Sequence, residues 1–510
     1  KFASLLVWLC AFTGVRLAAA QTPDPLALLI QDPSGPGAEL RVLQMLDDYH
    51  RNGAGPVLAR MTEAARIPSL SEAATRRIAI ARARIALWTG DIPAARRFAD
   101  DQGYITDWLF AGPFRNENGT ATPIPRDLLD AAPAAGDRCL PFPDRTICLI
   151  EGGPHTARFG EVHTSAVFSP HTDICTLAQT VVSVEKDGPL TLHFGAGGDA
   201  VVYWNDKLLL RDEHHGQADP ARYRMTFRAT RGDNLLTVRQ CSDDSGTMSF
   251  FARIDNGDGP LRVFRRPPRV RLLEPGPSRI PSATGTLTEL ERRATAKGAG
   301  AEAMADFVDF ALRTGAVDKE RSTFADLAAR ACRKSANPVH CLLPVRLEAG
   351  VNDQRSLLET SLQQKGQTTE LLAALTSLEM QSPGWNSHRA SLDRLVALAP
   401  HDPDIQCLQL NDLQKREQYP LLHDAVRRWI ADASTPPSLL RCAARALLDM
   451  PLRASTLPAI RAALRWYADD MALQTAAARL ESSFSGRRAL RTRLAIIDAL
   501  AIPDMDVDIE

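Results

Sequence analysis

Six histidines, His155, His163, His171, His193, His214 and His215, fall within about 60 residues of one another. Imidazole is a common metal ligand, so such a density invites a test for a metal centre. The spacing fails that test. No C-x-x-C pair and no paired-histidine helix motif occurs, and His163 and His193 sit in strand-like alternation. Asp243, Asp244, Asp255, Asn256 and Asp258 could offer oxygens to calcium, but ordinary turn chemistry accounts for them equally well. Tyr203, Trp204 and Asn205, with Trp108, could form a stacking platform for a sugar ring. In a strand, alternation sends Tyr203 and Trp204 to opposite faces, so a core or interface role competes with that reading. No G-x-S-x-G, G-x-G-x-x-G, Walker A or H-E-x-x-H motif appears. The Gly195-Ala196-Gly197-Gly198 run joins two strands, unlike a phosphate loop, which opens a helix. The sequence therefore assigns no catalytic residue, no metal ligand and no cofactor. Tyr203, Trp204 and Asn205 remain the candidate ligand-binding residues.

The elements that would hold these side chains read as a β block inside a helical chain. Leu190–Phe194, Val201–Leu209, Tyr223–Phe227, Gly232–Val238 and Met248–Ile254 repeat a two-residue alternation between turn signals. Asn205-Asp206 is expected at a hairpin tip, because both residue types tolerate left-handed backbone angles. Gly232-Asp233-Asn234 is expected at a second tip. Tyr223, Met225 and Phe227 share one face of a half-buried strand, with Arg222, Arg224 and Arg228 on the other.

On the N-terminal side, residues 24–105 read as helical. Ala73–Trp88 is one helix, Thr89-Gly90-Asp91 breaks it, and Pro93 begins the next, in the manner of a tetratricopeptide hairpin. Periodicity disappears over 106–154, which reads as an extended connection. The β block takes 155–262, and 263–286 is a linker rich in Pro and Arg. Arg262, Arg265, Arg266, Arg269 and Arg271 read as a solvated part of that linker rather than as an anion-binding patch. Residues 287–502 form a helical-repeat region. There, Pro403 and Pro437 lie 34 residues apart, Cys407 and Cys442 lie 35 apart, and each pair opens a helix.

A length of 510 residues implies several domains, and an apolar fraction of 45% is enough for real cores. The formal charge of -1 gives no bias toward nucleic acid or an anionic membrane. Lys1, the apolar run Phe2–Phe12 and the small residues Ala18-Ala19-Ala20 fit a signal peptide over 1–20. That run is short for a membrane span, so no integral membrane segment is expected after its removal. Eight cysteines then remain, an even number suited to disulfides in an exported protein. Pairing nearest neighbours gives Cys139–Cys148, Cys175–Cys241, Cys332–Cys341 and Cys407–Cys442, one of 105 connectivities.

Several segments also carry a family resemblance. Ile105–Thr120, reading ITDWLFAGPFRNENGT, is similar to the opening "dW-x-x-x-GPF-x-N-x-x-G" segment of large exported bacterial proteins. Those proteins join tetratricopeptide helices to a jelly-roll module and, further on, a DUF3857 and transglutaminase-like region. VVYWNDKLLL resembles their strand hairpin, with Asp206 where Gly is usual. TRGDNLLTVRQ and FFARIDNGDG resemble their later strands. The resemblance implies an architecture and no activity. A transglutaminase-like region would lie beyond Glu510 or be absent, because nothing here matches its Cys-His-Asp set.

The expected fold is multidomain α+β: an antiparallel, jelly-roll-like β-sandwich between a small helical N-terminal region and a C-terminal α-solenoid of tetratricopeptide-like hairpins. The expected function is that of an exported, non-catalytic scaffold in the periplasm or on the surface of a bacterium, with a protein partner. Glycan binding by the sandwich is the alternative, and an N-terminal arm of a transglutaminase-like enzyme is another.

Overall fold

The computed structural model describes residues 24–116, 139–141, 146–152, 156–168, 172–205, 207–212, 217–242, 248–257, 259–261, 264–265, 285–317, 322–382, 388–448, 450, 454–484, 494 and 497. Side chains at 139–141, 146, 148–149 and 264–265 lie outside this set. The chain divides into two compact units. Of the described residues, those within 24–95, 293–309 and 322–497 form one, and those within 96–292 and 310–317 form the other. The helices on either side of the β region along the chain thus fall mainly in a single unit.

The β unit contains β1 (Leu109–Arg115), β2 (Cys139–Pro141), β3 (Thr146–Glu151), β4 (Ala157–Arg158), β5 (Glu161–His163), β6 (Ile174–Val184) and β7 (Gly188–Gly197). It continues with β8 (Asp199–Trp204), β9 (Lys207–Asp212), β10 (Tyr223–Ala229), β11 (Gly232–Cys241), β12 (Ser249–Asp255) and β13 (Phe264–Arg265). They build two antiparallel sheets. The larger has the order β2-β3-β1-β6-β11-β8-β9, with β13 also paired to β6; the smaller runs β10-β7-β12-β5-β4. From β6 onward the chain crosses repeatedly between sheets, so the two share one core. Trp108, Phe110, Val182, Val202, Trp204 and Leu236 from the larger meet Leu192, Phe194, Met225 and Phe250 from the smaller.

Strand β10 keeps a two-residue period. Met225, Phe227 and Ala229 are buried, while Thr226 and Arg228 are exposed. Strand β6 has no such period, because both its faces are covered. On its far side Cys175 and Leu177 join Leu109, Ala111, Phe114 and Ile147 in a second apolar cluster.

The segment read as an extended connection, 106–154, differs from expectation. It supplies β1, inserted between β3 and β6, then β3 beside it and β2 at the edge. Gly112-Pro113 interrupts its alternation. The register against β6 shifts between Ala111 and Phe114, and Pro113 occupies that irregularity, where a missing N–H costs no ladder bond. The expected turn at Gly232-Asp233-Asn234 also changes character. The bend lies at Thr230-Arg231 and joins β10 to β11 in different sheets, so it is no hairpin tip.

The helices, in chain order, are α1 (Pro25–Gln31), α2 (Ala38–Leu46), α3 (Tyr49–Asn52), α4 (Ala54–Ala64), α5 (Glu72–Trp88), α6 (Ile92–Asp101), α7 (Thr286–Thr295), α8 (Ala301–Thr314) and α9 (Ser322–Lys334). There follow α10 (Leu342–Leu347), α11 (Val351–Lys365), α12 (Thr369–Gln381), α13 (His388–Leu398), α14 (Pro403–Lys415), α15 (Tyr419–Ala431), α16 (Pro437–Ala446), α17 (Leu457–Leu464) and α18 (Met471–Phe484). Ser71 caps α5 by accepting a hydrogen bond from the Ala74 N–H, and Gly90 follows it at φ 73°. Pro403 and Pro437 each stand at the first position of their helices, where the missing N–H is harmless.

From α11 to α18 each helix packs on the next, and α12–α14, α14–α16, α15–α17 and α16–α18 also touch. The apolar core advances along the chain with them. One cluster gathers Leu358, Leu371 and Leu378; the next Leu372, Leu395 and Ile405; then Leu410, Leu422 and Val426; then Ile460, Leu473 and Leu480.

Three disulfides stand among the described residues: Cys175–Cys241, Cys332–Cys341 and Cys407–Cys442. They link β6 to β11, α9 to the turn before α10, and α14 to α16. The backbone register sets Cys139 opposite Cys148, whose side chains lie outside the described set. Thiol titration under denaturing, non-reducing conditions should find the six bonded cysteines unreactive; modification of any of them would contradict these bonds. Among the described residues, no helix is long and apolar enough to cross a membrane.

Candidate functional site

The proposed stacking platform is taken up by the fold. Trp204 is 3% exposed and packs on Phe227 across the two sheets, with ring centres 4.9 Å apart. Tyr203, on the opposite face of β8, is 6% exposed. Burial raises its hydroxyl pKa, against the pull of Arg239 and Arg211. Trp108 is fully buried, its indole N–H donating 2.9 Å to the Ile105 carbonyl. None of the three offers a ring face to solvent, which argues against glycan stacking here.

Asn205 does occupy the β8–β9 hairpin tip, at φ 52°. Its side chain accepts from the Leu235 N–H at 2.8 Å and donates to Asn234 Oδ1 at 3.0 Å. Its neighbour Asp206 lies outside the described residues. Asn205→Ala should lower stability by roughly 1–2 kcal/mol, because alanine lacks the amide that makes these hydrogen bonds and eases left-handed backbone. Chemical denaturation would show it, and an unchanged midpoint would remove this structural role.

Among the described histidines, His163 lies 3.9 Å from Glu161, and buried His193 sits 2.8 Å from Asp255, which Arg253 also approaches at 3.6 Å. His155, His171, His214 and His215 lie outside the described residues, as do Asp243, Asp244 and Asp258. Among the described residues no group of three or more His, Cys, Asp or Glu side chains could hold a metal.

Two polar clusters do stand out. The first surrounds Arg222, whose side chain is entirely buried beside Asp212, 3.0 Å away. Arg222 Nε donates to the Thr314 carbonyl at 2.8 Å, Nη1 to that of Ala196 at 2.8 Å, and Nη2 to that of Gln217 at 2.6 Å. The Tyr223 hydroxyl donates to the other Asp212 oxygen at 3.3 Å. Burial, then the Asp212 charge, pushes the Tyr223 pKa up. Two glycines make room for this knot. A Cβ on Gly195 would fall 2.0 Å from the Asp219 carbonyl oxygen, and one on Gly315, at φ 64°, 2.8 Å from Arg222 Nη2. The sequence pattern put Arg222 on a solvent face; the structure buries it.

The second cluster lies in the helical unit. The Tyr49 ring stacks on Trp88, centres 3.9 Å apart, and meets Tyr467 edge-on at 5.2 Å. Its hydroxyl donates to Asp469, which is 420 residues away in sequence. The Tyr467 hydroxyl donates to the His50 carbonyl at 2.9 Å. Arg441 lies 4.7 Å from the Tyr467 ring centre and directs Nη1 at His50 Nδ1, 3.4 Å away. Arg441 and Arg445 both donate to Asp470, at 2.9 and 2.8 Å. Arg51 pairs with Asp404 at 2.7 Å and Asp402 at 3.1 Å. The cation seat over the aromatic rings is thus filled from within, by Arg441.

The acids here are not equivalent. Burial would raise Asp470, but Arg445 and Arg441 outweigh it and hold its pKa low. Asp469 has the Tyr49 hydroxyl instead, and burial pushes it up to about 7. Burial, then Arg441, lowers His50 to about 4. The sequence reading missed this group. Its local signal was present: Asp47-Asp48-Tyr49-His50 and Tyr467-Ala468-Asp469-Asp470 each set two acids near a tyrosine. Their meeting across the length of the chain was not readable. Comparison with known proteins finds no match among family models, curated proteins or solved structures.

Proposed function

We propose that this chain is an exported, non-catalytic scaffold of the bacterial periplasm or cell surface. In this reading its helical unit makes protein contacts, and a jelly-roll-like β-sandwich serves as an accessory module. One observation carries it: between α11 and α18 the apolar core advances cluster by cluster with the sequence, each helix packing on near neighbours. That is the logic of a tetratricopeptide-like solenoid, whose elongated face suits partner binding. The three disulfides support export, since such bonds persist in oxidising compartments. The motif resemblance around Trp108 points the same way. Immobilised full chain, exposed to periplasmic extract, should retain a protein that free chain competes away. Retention of polysaccharide alone would overturn the reading.

A further inference from the structure

The meeting of Tyr49 with Tyr467 and Asp469 joins the N-terminal helices to the end of the repeat run, within one unit. Two titratable groups sit there with unlike neighbours. His50 faces Arg441 and Arg445 on α16, Asp47 just ahead of α3, the Tyr49 ring at 5.6 Å and the Tyr467 hydroxyl on its carbonyl. Because Arg441 donates toward Nδ1, that nitrogen serves as an acceptor, which a protonated ring cannot supply. Asp469 faces the Tyr49 hydroxyl and the neighbouring Asp470. Both nearby arginines pair with Asp470, and among the described residues no cation offsets the burial of Asp469.

We propose that this seam is a proton-balanced clasp: His50 and Asp469 both stay uncharged while it is closed, and on opening His50 takes up a proton as Asp469 releases one. The two effects oppose each other. His50 falls to about 4 in the closed state, from 6.5 in the open chain, so its contribution is lost as pH drops through that window. Asp469 rises to about 7 from 3.8, so its contribution is lost as pH climbs between those values. Between about pH 4 and about 6.5 the two slopes cancel, and closure is nearly indifferent to pH. The clasp does not depend on the scaffold reading.

Amide hydrogen exchange over residues 49–64 of the full chain, corrected for intrinsic rates, reads the opening constant directly. Relative to wild type, Asp469→Asn should make that constant grow about tenfold for each unit the pH is lowered from 6.5 to 4.5, one proton's worth of slope. His50→Gln, which keeps an acceptor for Arg441, should make it grow about tenfold per unit as pH is raised over the same range. The double variant should return to a flat profile. Should His50→Gln fail to fold, Asp469→Asn alone still decides, since its slope is specific to His50. Single variants whose profiles parallel wild type would overturn the proposal.

Discussion

Arg222→Met should destabilise the β unit by about 3–5 kcal/mol, the range for removing one partner of a buried ion pair. The carboxylate left behind, Asp212, is fully buried. Taking the guanidinium away strands that charge and withdraws donors from the carbonyls of Ala196, Gln217 and Thr314 at once. Methionine fills similar volume, so little of the loss would come from a cavity. Arg222→Lys keeps the charge but lacks the planar fork that reaches the Asp212 carboxylate and three carbonyls together, so it should recover only part. Adding Asp212→Asn to Arg222→Met should cost less than the two single changes summed, because the second change relieves the first. Hydrogen exchange at β7 and β9 under increasing urea would measure each term. A loss below about 1 kcal/mol for Arg222→Met would mean that water supplies what the guanidinium supplies here.

That residue also marks where sequence reading stops. The alternation of Met225 and Phe227 against Arg224 and Arg228 is a local property, and β10 keeps it. Arg222 was read in phase with them. It lies one residue ahead of the strand, where the two-residue period no longer applies, and its partners come from positions 196, 212, 217 and 314. Strand β1 was hidden for a different reason. Gly112-Pro113 reads as a turn, and a strand covered on both faces has no polar alternation to betray it. What local chemistry dictates was legible: the left-handed Asn205, the helices opened by Pro403 and Pro437, and the break after Trp88. So were the three bonded cysteine pairs, each joining near neighbours among the cysteines. The Tyr49 seam was not, because nothing local to Tyr49 names Asp469.

Of those three bonds, Cys175–Cys241 should matter most. It closes a stretch of 66 residues, against 35 for Cys407–Cys442 and 9 for Cys332–Cys341. In the chain-entropy account, opening loops of these lengths costs roughly 4, 4 and 2.5 kcal/mol, with the longest slightly ahead. Position adds to length. Cys175 and Cys241 are direct partners in the β6–β11 ladder, and the segment they enclose contains β7 and β10 of the smaller sheet and β8 and β9 of the larger. Cys175 also packs with Leu109, Ala111 and Phe114, so alanine is the fair replacement; serine would bury a hydroxyl. Cys175→Ala with Cys241→Ala should therefore loosen exchange across β6–β11 while leaving α11–α18 close to wild type. Cys407→Ala with Cys442→Ala should do the reverse, since α14 and α16 lie in the other unit. If both pairs of substitutions loosened both regions equally, the two units would not be separate in stability. If neither did, the bonds would hold together parts already fixed by packing, and loop length would be irrelevant to this fold.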